Sequence, residues 1–173
     1  MRSLLQIMLT TLFAITLSGC LYPVRYDGPY LGRVVDEETR EPIEGVVVLG
    51  TWDIFHNNVA GGNHTFFAAQ ETVTDKKGEF RISGMGLRVF SNLEPMDVLI
   101  FKSGYKYIGS TSWPAFKISS YYRERIKWEG DRAILPLRKI TLEERSKQYV
   151  PSPPHEAWKK DIYLMIQEIN RDR

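Results

Sequence analysis

The chain has 173 residues, of which 43% are hydrophobic and 25% are charged. This length and composition suit one globular domain with a short extension and exclude a wholly disordered chain. The 23 Lys and Arg against 21 Asp and Glu leave a net charge of +2, which argues against nucleic acid as a partner. The single cysteine excludes an intrachain disulfide and a metal site built from several thiolates.

Residues 1–19 have the parts of a secretory signal peptide. The charged residue Arg2 is followed by an apolar stretch from Ser3 to Leu17. This stretch of about 15 residues is short compared with the ~20 that a membrane-spanning helix needs. The sequence therefore predicts a signal peptide over residues 1–19 rather than an anchor helix.

The one cysteine, Cys20, lies at the end of this segment, after Leu17, Ser18 and Gly19. These four residues resemble the lipobox of bacterial lipoproteins. The resemblance implies that a diacylglyceryl group is attached to the Cys20 thiol, that the chain is cut before Cys20, and that the new amino terminus is acylated, typically with palmitate. Such multiple acylation anchors a protein stably, because each buried methylene contributes roughly 0.8 kcal/mol. Leu21, where an aspartate would retain the protein in the inner membrane, implies the outer membrane of the cell envelope.

Residues 20–29 are predicted to form a tether, and residues 30–140 a β-rich domain. The domain has short β-prone runs separated by turn signals, which predict an all-β, seven-stranded sandwich. The segments from Gly50 to Thr65 and from Gly109 to Gly130 are predicted to be loops, and Pro136 is predicted to mark an edge strand or a bulge. The predicted strands are Tyr30–Asp36, Pro42–Leu49, Phe66–Thr74, Glu79–Ser83, Asp97–Phe101, Lys106–Gly109 and Arg132–Arg138.

Three stretches of the predicted domain resemble the carboxypeptidase regulatory-like domain, which is also described as transthyretin-like or prealbumin-like. They are Gly32–Val48, Glu71–Ile82 and Lys102–Tyr105. The resemblance implies a transthyretin-like, Ig-like β-sandwich in which the motif residues have structural duties. Those residues are Gly32, Asp36, Pro42, Gly45, Thr74, Asp75, Gly78, Phe80, Gly104 and Tyr105.

Residues 141–173 are predicted to form a helical extension of the sandwich. Thr141 and Glu144 have the spacing of a capping box at the start of a short helix. A second helix is predicted to start at Ser152 and Pro153 and to run to about Asn170. Its apolar positions fall on one face, which either packs on the sandwich or binds a partner; they are Trp158, Ile162, Met165, Ile166 and Ile169.

The sequence offers no catalytic motif and calls for no cofactor beyond the covalent lipid at Cys20. It contains neither a Gly-x-Ser-x-Gly nucleophile elbow nor a phosphate-binding glycine loop. His56 and His64 share the first predicted loop with Asp53, so they are weak candidates for a metal site. A metal-dependent enzyme of the envelope that uses these histidines is therefore one alternative function.

Aromatic side chains in the two predicted loops are candidates for ligand binding. Their faces suit stacking against sugar rings, or else they cover the ends of the sandwich. The favoured function is a non-catalytic, lipid-anchored binding or assembly module whose partner is an envelope protein or a glycan; the alternative is a carbohydrate-binding module. The candidate binding residues are Trp52, Trp113, Tyr121, Tyr122 and Trp128, with Phe55 beside them.

Removal of the Cys20 thiol tests the predicted anchor. A Cys20→Ser chain has no thiol to acylate, so we expect it to leave the detergent phase when cells are extracted with a phase-separating detergent. The control is Ser18→Ala, which keeps a small residue before Cys20 and should partition as the parent does. Retention of Cys20→Ser in the detergent phase would exclude the lipid anchor.

Overall fold

The computed structural model describes Gln6 and residues 24–58, 61–148 and 163–171. Within these ranges the chain is mostly β, as the sequence predicted. The strands are β1 Val24–Asp27, β2 Tyr30–Asp36, β3 Val47–Asn58, β4 Gly61–Val73, β5 Glu79–Ile82, β6 Gly86–Val89, β7 Asp97–Phe101, β8 Ile108–Ser112, β9 Lys127–Glu129 and β10 Arg132–Leu137. The helices are α1 Ala115–Ile118, α2 Ser120–Arg123, α3 Leu142–Lys147 and α4 Tyr163–Arg171.

The strands form two four-stranded sheets and one two-stranded ribbon. The first sheet has the order β5-β2-β10-β9, in which β2 and β10 are parallel. The second sheet has the order β4-β3-β7-β8 and is antiparallel throughout. The ribbon pairs β1 with β6. The described residues thus contain ten strands against the seven predicted, and the additional ones are β1 in the predicted tether, β6, and β9 in the second predicted loop.

The predicted loop from Gly50 to Thr65 is wrong, because β3 and β4 pair along a long hairpin through this segment. Pairing continues to Asn58 and Gly61, so the Asn and Gly residues that indicated a loop lie only at its tip. Gly50 is a strand residue at a tight contact: a β-carbon there would lie 2.5 Å from the Met96 sulfur. A glycine that serves close packing gives the same sequence signal as a turn glycine, which explains the error.

The main hydrophobic core lies between the two sheets. It draws alternate residues from each strand, because successive side chains of a strand point to opposite faces. Trp52 is fully buried and Phe80 is nearly so. Gly32 leaves room for the Phe80 ring, since a β-carbon at Gly32 would lie 2.3 Å from it. The most deeply buried members include Val34, Val46, Val48, Met96, Ile100, Phe116, Leu135 and Leu137.

A second hydrophobic cluster lies on the outer face of the second sheet, beneath α4. Met165 and Ile169 of α4 are buried there against β3 and β7. The Glu71 carboxylate accepts hydrogen bonds from the backbone amides of Leu164 and Met165, at 3.0 Å each, at the start of this helix. Ile166 packs partly against the cluster, while the predicted start of the helix at residues 152–153 and the positions 158 and 162 lie outside the described residues.

Pro136 lies in an internal strand, which corrects the prediction of an edge strand. β10 pairs with β2 over its whole length, but with β9 only from Arg132 to Ile134. At Pro136 the β9 side of the strand therefore has no partner strand within the described ranges. A proline, which has no N–H to donate, is tolerated at such a position.

Several motif residues make the structural contacts expected of them. The Asp36 carboxylate accepts hydrogen bonds from the amides of Glu38 and Thr39, at 3.0 Å each, and so closes the turn after β2. The Thr74 hydroxyl accepts from the Val46 amide at 2.9 Å and donates to a carbonyl oxygen at 2.7 Å. Pro42 forms an isolated β-bridge with Val35. Gly45 has a φ of 74°, and Gly104 has a φ of 82°. Gly104 directly precedes Tyr105, whose side chain is half-buried.

The turn before β5 is confirmed in detail. The Asp75 carboxylate accepts hydrogen bonds from the amides of Lys77 and Glu79, at 2.9 and 2.8 Å. Gly78 has a φ of 71°, in the left-handed region that favours glycine. A β-carbon on Gly78 would also lie 2.4 Å from the backbone oxygen of Val34. Another residue at this position would therefore strain the backbone and clash with Val34.

Alanine substitutions at Gly78 and Gly130 separate the cost of backbone strain from the cost of the clash with Val34. Gly130 has a similar φ of 62° but nothing within 4 Å of its β-carbon position. We expect Gly130→Ala to lower the free energy of unfolding by about 1 kcal/mol through backbone strain alone. Gly78→Ala should lower it by about 2 kcal/mol or more, because the clash with Val34 adds to the strain. Urea unfolding of the two variants measures the difference, and equal losses would contradict the close approach at Gly78.

Candidate functional site

A groove of about 560 Å³ lies where β8, α2 and the end of β10 meet. β8 contributes Ile108 and Gly109 to its wall, and the chain before β8 contributes Lys106 and Tyr107. α2 contributes Tyr121 and Tyr122, and the turn after it contributes Arg125 and Ile126. The remaining lining residues are Glu37, Pro136, Arg138 and Gln148.

Two neighbouring tyrosines give the groove its aromatic surface. Tyr122 is held in place, because its hydroxyl is 3.0 Å from the Thr111 hydroxyl and its ring packs edge-on against Phe116 at 5.1 Å. Tyr121 packs against Tyr122 at 4.9 Å and leaves 56% of its surface exposed. The Arg125 guanidinium lies 4.0 Å from the centre of the Tyr121 ring. The groove therefore presents the Tyr121 ring and the Arg125 guanidinium, and Tyr122 supports the Tyr121 ring.

The groove has an excess of positive charge. The Arg138 guanidinium donates two hydrogen bonds to the Glu144 carboxylate, at 2.9 and 3.4 Å. This pairing, together with the hydrogen bond from the Thr141 amide, lowers the pKa of Glu144 to about 2. Among the described residues, Lys106 and Arg125 have no carboxylate oxygen within ion-pair distance.

Gln148 is one of the lining residues of the groove. Its side-chain nitrogen is buried and has no acceptor among the residues that the structure describes. A buried donor without an acceptor costs roughly 1–3 kcal/mol.

The structure brings only part of the predicted aromatic set to this groove. Tyr121 and Tyr122 line it. Trp52 and Trp113 do not belong to a binding surface, because they are 0% and 8% exposed within the core. Trp128 is half-buried, packs edge-on against Trp113 at 6.1 Å and has the Lys117 ammonium 4.2 Å from its ring centre. The prediction that Trp52 and Trp113 bind a ligand was wrong, because large aromatic residues in a segment without clear periodicity can equally belong to the core.

His56 and His64 lie in the outer part of the β3–β4 hairpin and do not converge. His64 pairs across the strands with Phe55, whereas His56 pairs with Asn63, so the two histidines point to opposite faces. The His64 ring nitrogen is 2.7 Å from the Glu94 carboxylate, and the His56 ring nitrogen is 2.7 Å from the Thr65 hydroxyl. In the described part of the chain, no group of three His, Cys, Asp or Glu side chains is arranged to hold a metal ion.

Sequence reasoning missed the basic side chains of the groove. Lys106 stands in a predicted strand, and Arg125 and Arg138 stand in different parts of the chain. Neither their spacing nor their number distinguishes them from other surface cations. The only available signal was the pair of tyrosines at 121 and 122 followed closely by Arg123 and Arg125.

A second, smaller cavity of about 120 Å³ is lined by acidic side chains of the second sheet and its neighbouring loop. Asp53, Glu94 and Asp97 face it. Burial raises the pKa of Asp97, and the negative charges of Asp53 and Glu94 raise it further. The negative charge on Asp97 therefore opposes folding rather than supporting it.

No family model, no curated protein and no solved structure matches this chain. None of the helices within the described residues is long and apolar enough to span a membrane.

Substitution of Asp97 tests the acidic cavity. Because the pKa of Asp97 is raised on folding, its charge costs stability above that pKa, and the cost disappears below the unfolded value of about 3.9. We expect Asp97→Asn to raise Tm by roughly 2 °C at pH 7 and to leave Tm unchanged at pH 3. The exposed Asp131 provides the control, and Asp131→Asn should leave Tm unchanged at both pH values. A lower Tm for Asp97→Asn at pH 7 would mean that the Asp97 carboxylate stabilises the fold.

Proposed function

We propose that this chain is a bacterial lipoprotein of the cell envelope that acts as a non-catalytic binding module. The anchor rests on the lipobox-like residues Leu17 to Cys20, which lie outside the described residues. Leu21 favours the outer membrane. The proposed arrangement is a lipid at Cys20 and a folded domain that begins a few residues later.

The proposed domain family is the transthyretin-like, carboxypeptidase regulatory-like sandwich. The support is local: the Asp75–Gly78 turn, the Thr74 hydrogen bonds and the Gly32 contact with Phe80 give the motif residues structural duties. Two facing four-stranded sheets are compatible with such a sandwich. In this proposal, the β1–β6 ribbon and the helices after β10 are additions to the family core.

The groove beside α2 is the proposed binding site, and one observation carries this proposal. Tyr121 exposes an aromatic face beside the Arg125 guanidinium, and Lys106 lines the same groove. Neither cation has a carboxylate within ion-pair distance among the described residues. Aromatic faces stack against the apolar faces of sugar rings, and the cations attract carboxylate groups. Among the described residues that line the groove, Glu37 is the one acid, so the positive excess remains after Arg138 is paired with Glu144.

A negatively charged glycan is the ligand that fits this chemistry. The volume of about 560 Å³ falls within the range of ordinary ligand sites. A glycan ligand combines the binding module and the carbohydrate-binding alternative that the sequence left open, whereas the opposite orientations of His56 and His64 do not favour a shared metal site.

Titration calorimetry with the lipidated full chain in detergent micelles tests the groove. The probes are an oligogalacturonide and a neutral cello-oligosaccharide of equal length. We expect the acidic oligomer to bind and the neutral one to bind at least tenfold more weakly. Tyr121→Ala and Arg125→Ala should each weaken the binding of the acidic oligomer by about tenfold, which corresponds to 1.4 kcal/mol.

Arg123→Ala is the matched control for Arg125→Ala, because Arg123 is an exposed arginine two residues earlier, at the end of α2, that does not line the groove. It should retain the affinity of the parent. Equal binding of the two oligomers, or equal losses for Arg123→Ala and Arg125→Ala, would exclude the groove as a site for acidic glycans.

A further inference from the structure

The β1–β6 ribbon exposes an apolar face to solvent. Val24 pairs with Val89 and Tyr26 pairs with Leu87, so these four side chains share one face of the ribbon. Their exposed fractions are 53%, 54%, 69% and 63%, and that of Phe90, which follows β6, is 74%. A contiguous patch of large apolar side chains on one face marks a surface that contacts something other than water.

The opposite face of the ribbon carries the polar residues, and it faces the domain. The Arg25 guanidinium donates hydrogen bonds to the carbonyl oxygens of Leu93 and Glu94. The Arg88 guanidinium lies 5.2 Å from the centre of the Phe67 ring. The usual arrangement of a soluble sheet, with apolar side chains inward and charges outward, is therefore reversed in this ribbon.

A buried carboxylate fixes the ribbon in this orientation. Asp27 of β1 is 4% exposed and accepts hydrogen bonds from the Trp52 indole and the Met85 amide, at 2.9 Å each. It also accepts one from the Tyr30 hydroxyl at 2.6 Å. Because Trp52 is fully buried in the core, the ribbon cannot turn its apolar face inward without breaking these bonds.

The ribbon begins four residues after Cys20. Four residues of fully extended chain span at most about 14 Å. If Cys20 carries lipid, Val24 is held within that distance of the bilayer surface. The exposed apolar face is therefore the part of the described domain that the sequence places nearest to the anchor.

We propose that the apolar face of the β1–β6 ribbon inserts into the interfacial region of the bilayer beside the Cys20 lipids and fixes the orientation of the domain. This inference rests on the proposed lipid anchor. The partner is a lipid surface: the aliphatic side chains and Phe90 enter the acyl boundary, and Tyr26 lies at the headgroup level, where tyrosine is enriched. Phe90 has a φ of 47°, a left-handed conformation rare for a bulky residue, which turns the chain at the end of the ribbon.

The experiment labels introduced cysteines, which is possible because Cys20 is the one natural cysteine of the chain. Because Cys20 is acylated in the lipidated protein, an introduced cysteine is the only thiol available for labelling. Leu87→Cys places a nitrobenzoxadiazole label on the ribbon face, and Leu142→Cys places it on α3; the two leucines are 63% and 83% exposed. The labelled proteins are reconstituted in vesicles of phosphatidylethanolamine and phosphatidylglycerol that contain a nitroxide-labelled phospholipid.

We expect the nitroxide lipid to quench the label at position 87 at least twofold more than the label at position 142. Adding Tyr26→Ser and Val89→Ser to the Leu87→Cys chain should reduce its quenching to the level at position 142. The acylated chain should float with the vesicles in every case, because the polar substitutions do not touch Cys20.

Each contrary result has a separate meaning. If the proteins float with the vesicles but the two labels are quenched equally, the anchor stands and the oriented insertion is wrong. If mass spectrometry shows an unmodified Cys20 and the proteins do not float, the lipid anchor is wrong and the inference fails with it. If the label at position 87 is shielded without nitroxide quenching and the protein doubles in mass in micelles, the face binds a second copy of the chain, which also overturns the inference.

Discussion

The indole of Trp113 connects the core of the sandwich with the groove on its surface. Its ring contacts Tyr30 of β2, Phe80 of β5, Phe116 of α1 and Trp128 of β9, at centroid distances of 5.4, 6.3, 5.4 and 6.1 Å. These rings come from distant parts of the chain, so the short segments that carry them are fixed by tertiary contacts. The helices α1 and α2 have four residues each and depend on this packing, since helices of that length are not stable alone.

The same packing extends to the candidate site. Phe116 of α1 packs against Tyr122, and Tyr122 packs against Tyr121. The groove wall is thus supported from beneath by buried rings, and its aromatic face is held in position before any ligand arrives. Pre-ordering of this kind reduces the entropy lost on binding.

Side-chain carboxylates add polar contacts that fix the positions of the ribbon and of α4. Asp27 connects the ribbon to Trp52, and Glu71 binds the first amides of α4. Glu168, 4% exposed on α4, accepts a hydrogen bond from the Ser103 amide at 3.0 Å and lies 2.9 Å from the Arg171 guanidinium. A buried carboxylate that loses its donors is costly, so these contacts set orientation as well as adding stability.

The sequence alone determined several local features of the described residues: the bounds of β2 and β7, the Asp75–Gly78 turn and the capping box at Thr141. Each depends on neighbouring residues, whose alternation, turn chemistry or spacing is visible in the sequence. Tertiary structure alone decided the long β3–β4 hairpin, the reversed β1–β6 ribbon and the groove. Lys106, Tyr121 and Arg138 meet because two sheets and a short helix pack together, and no local pattern records contacts between residues so far apart in the chain.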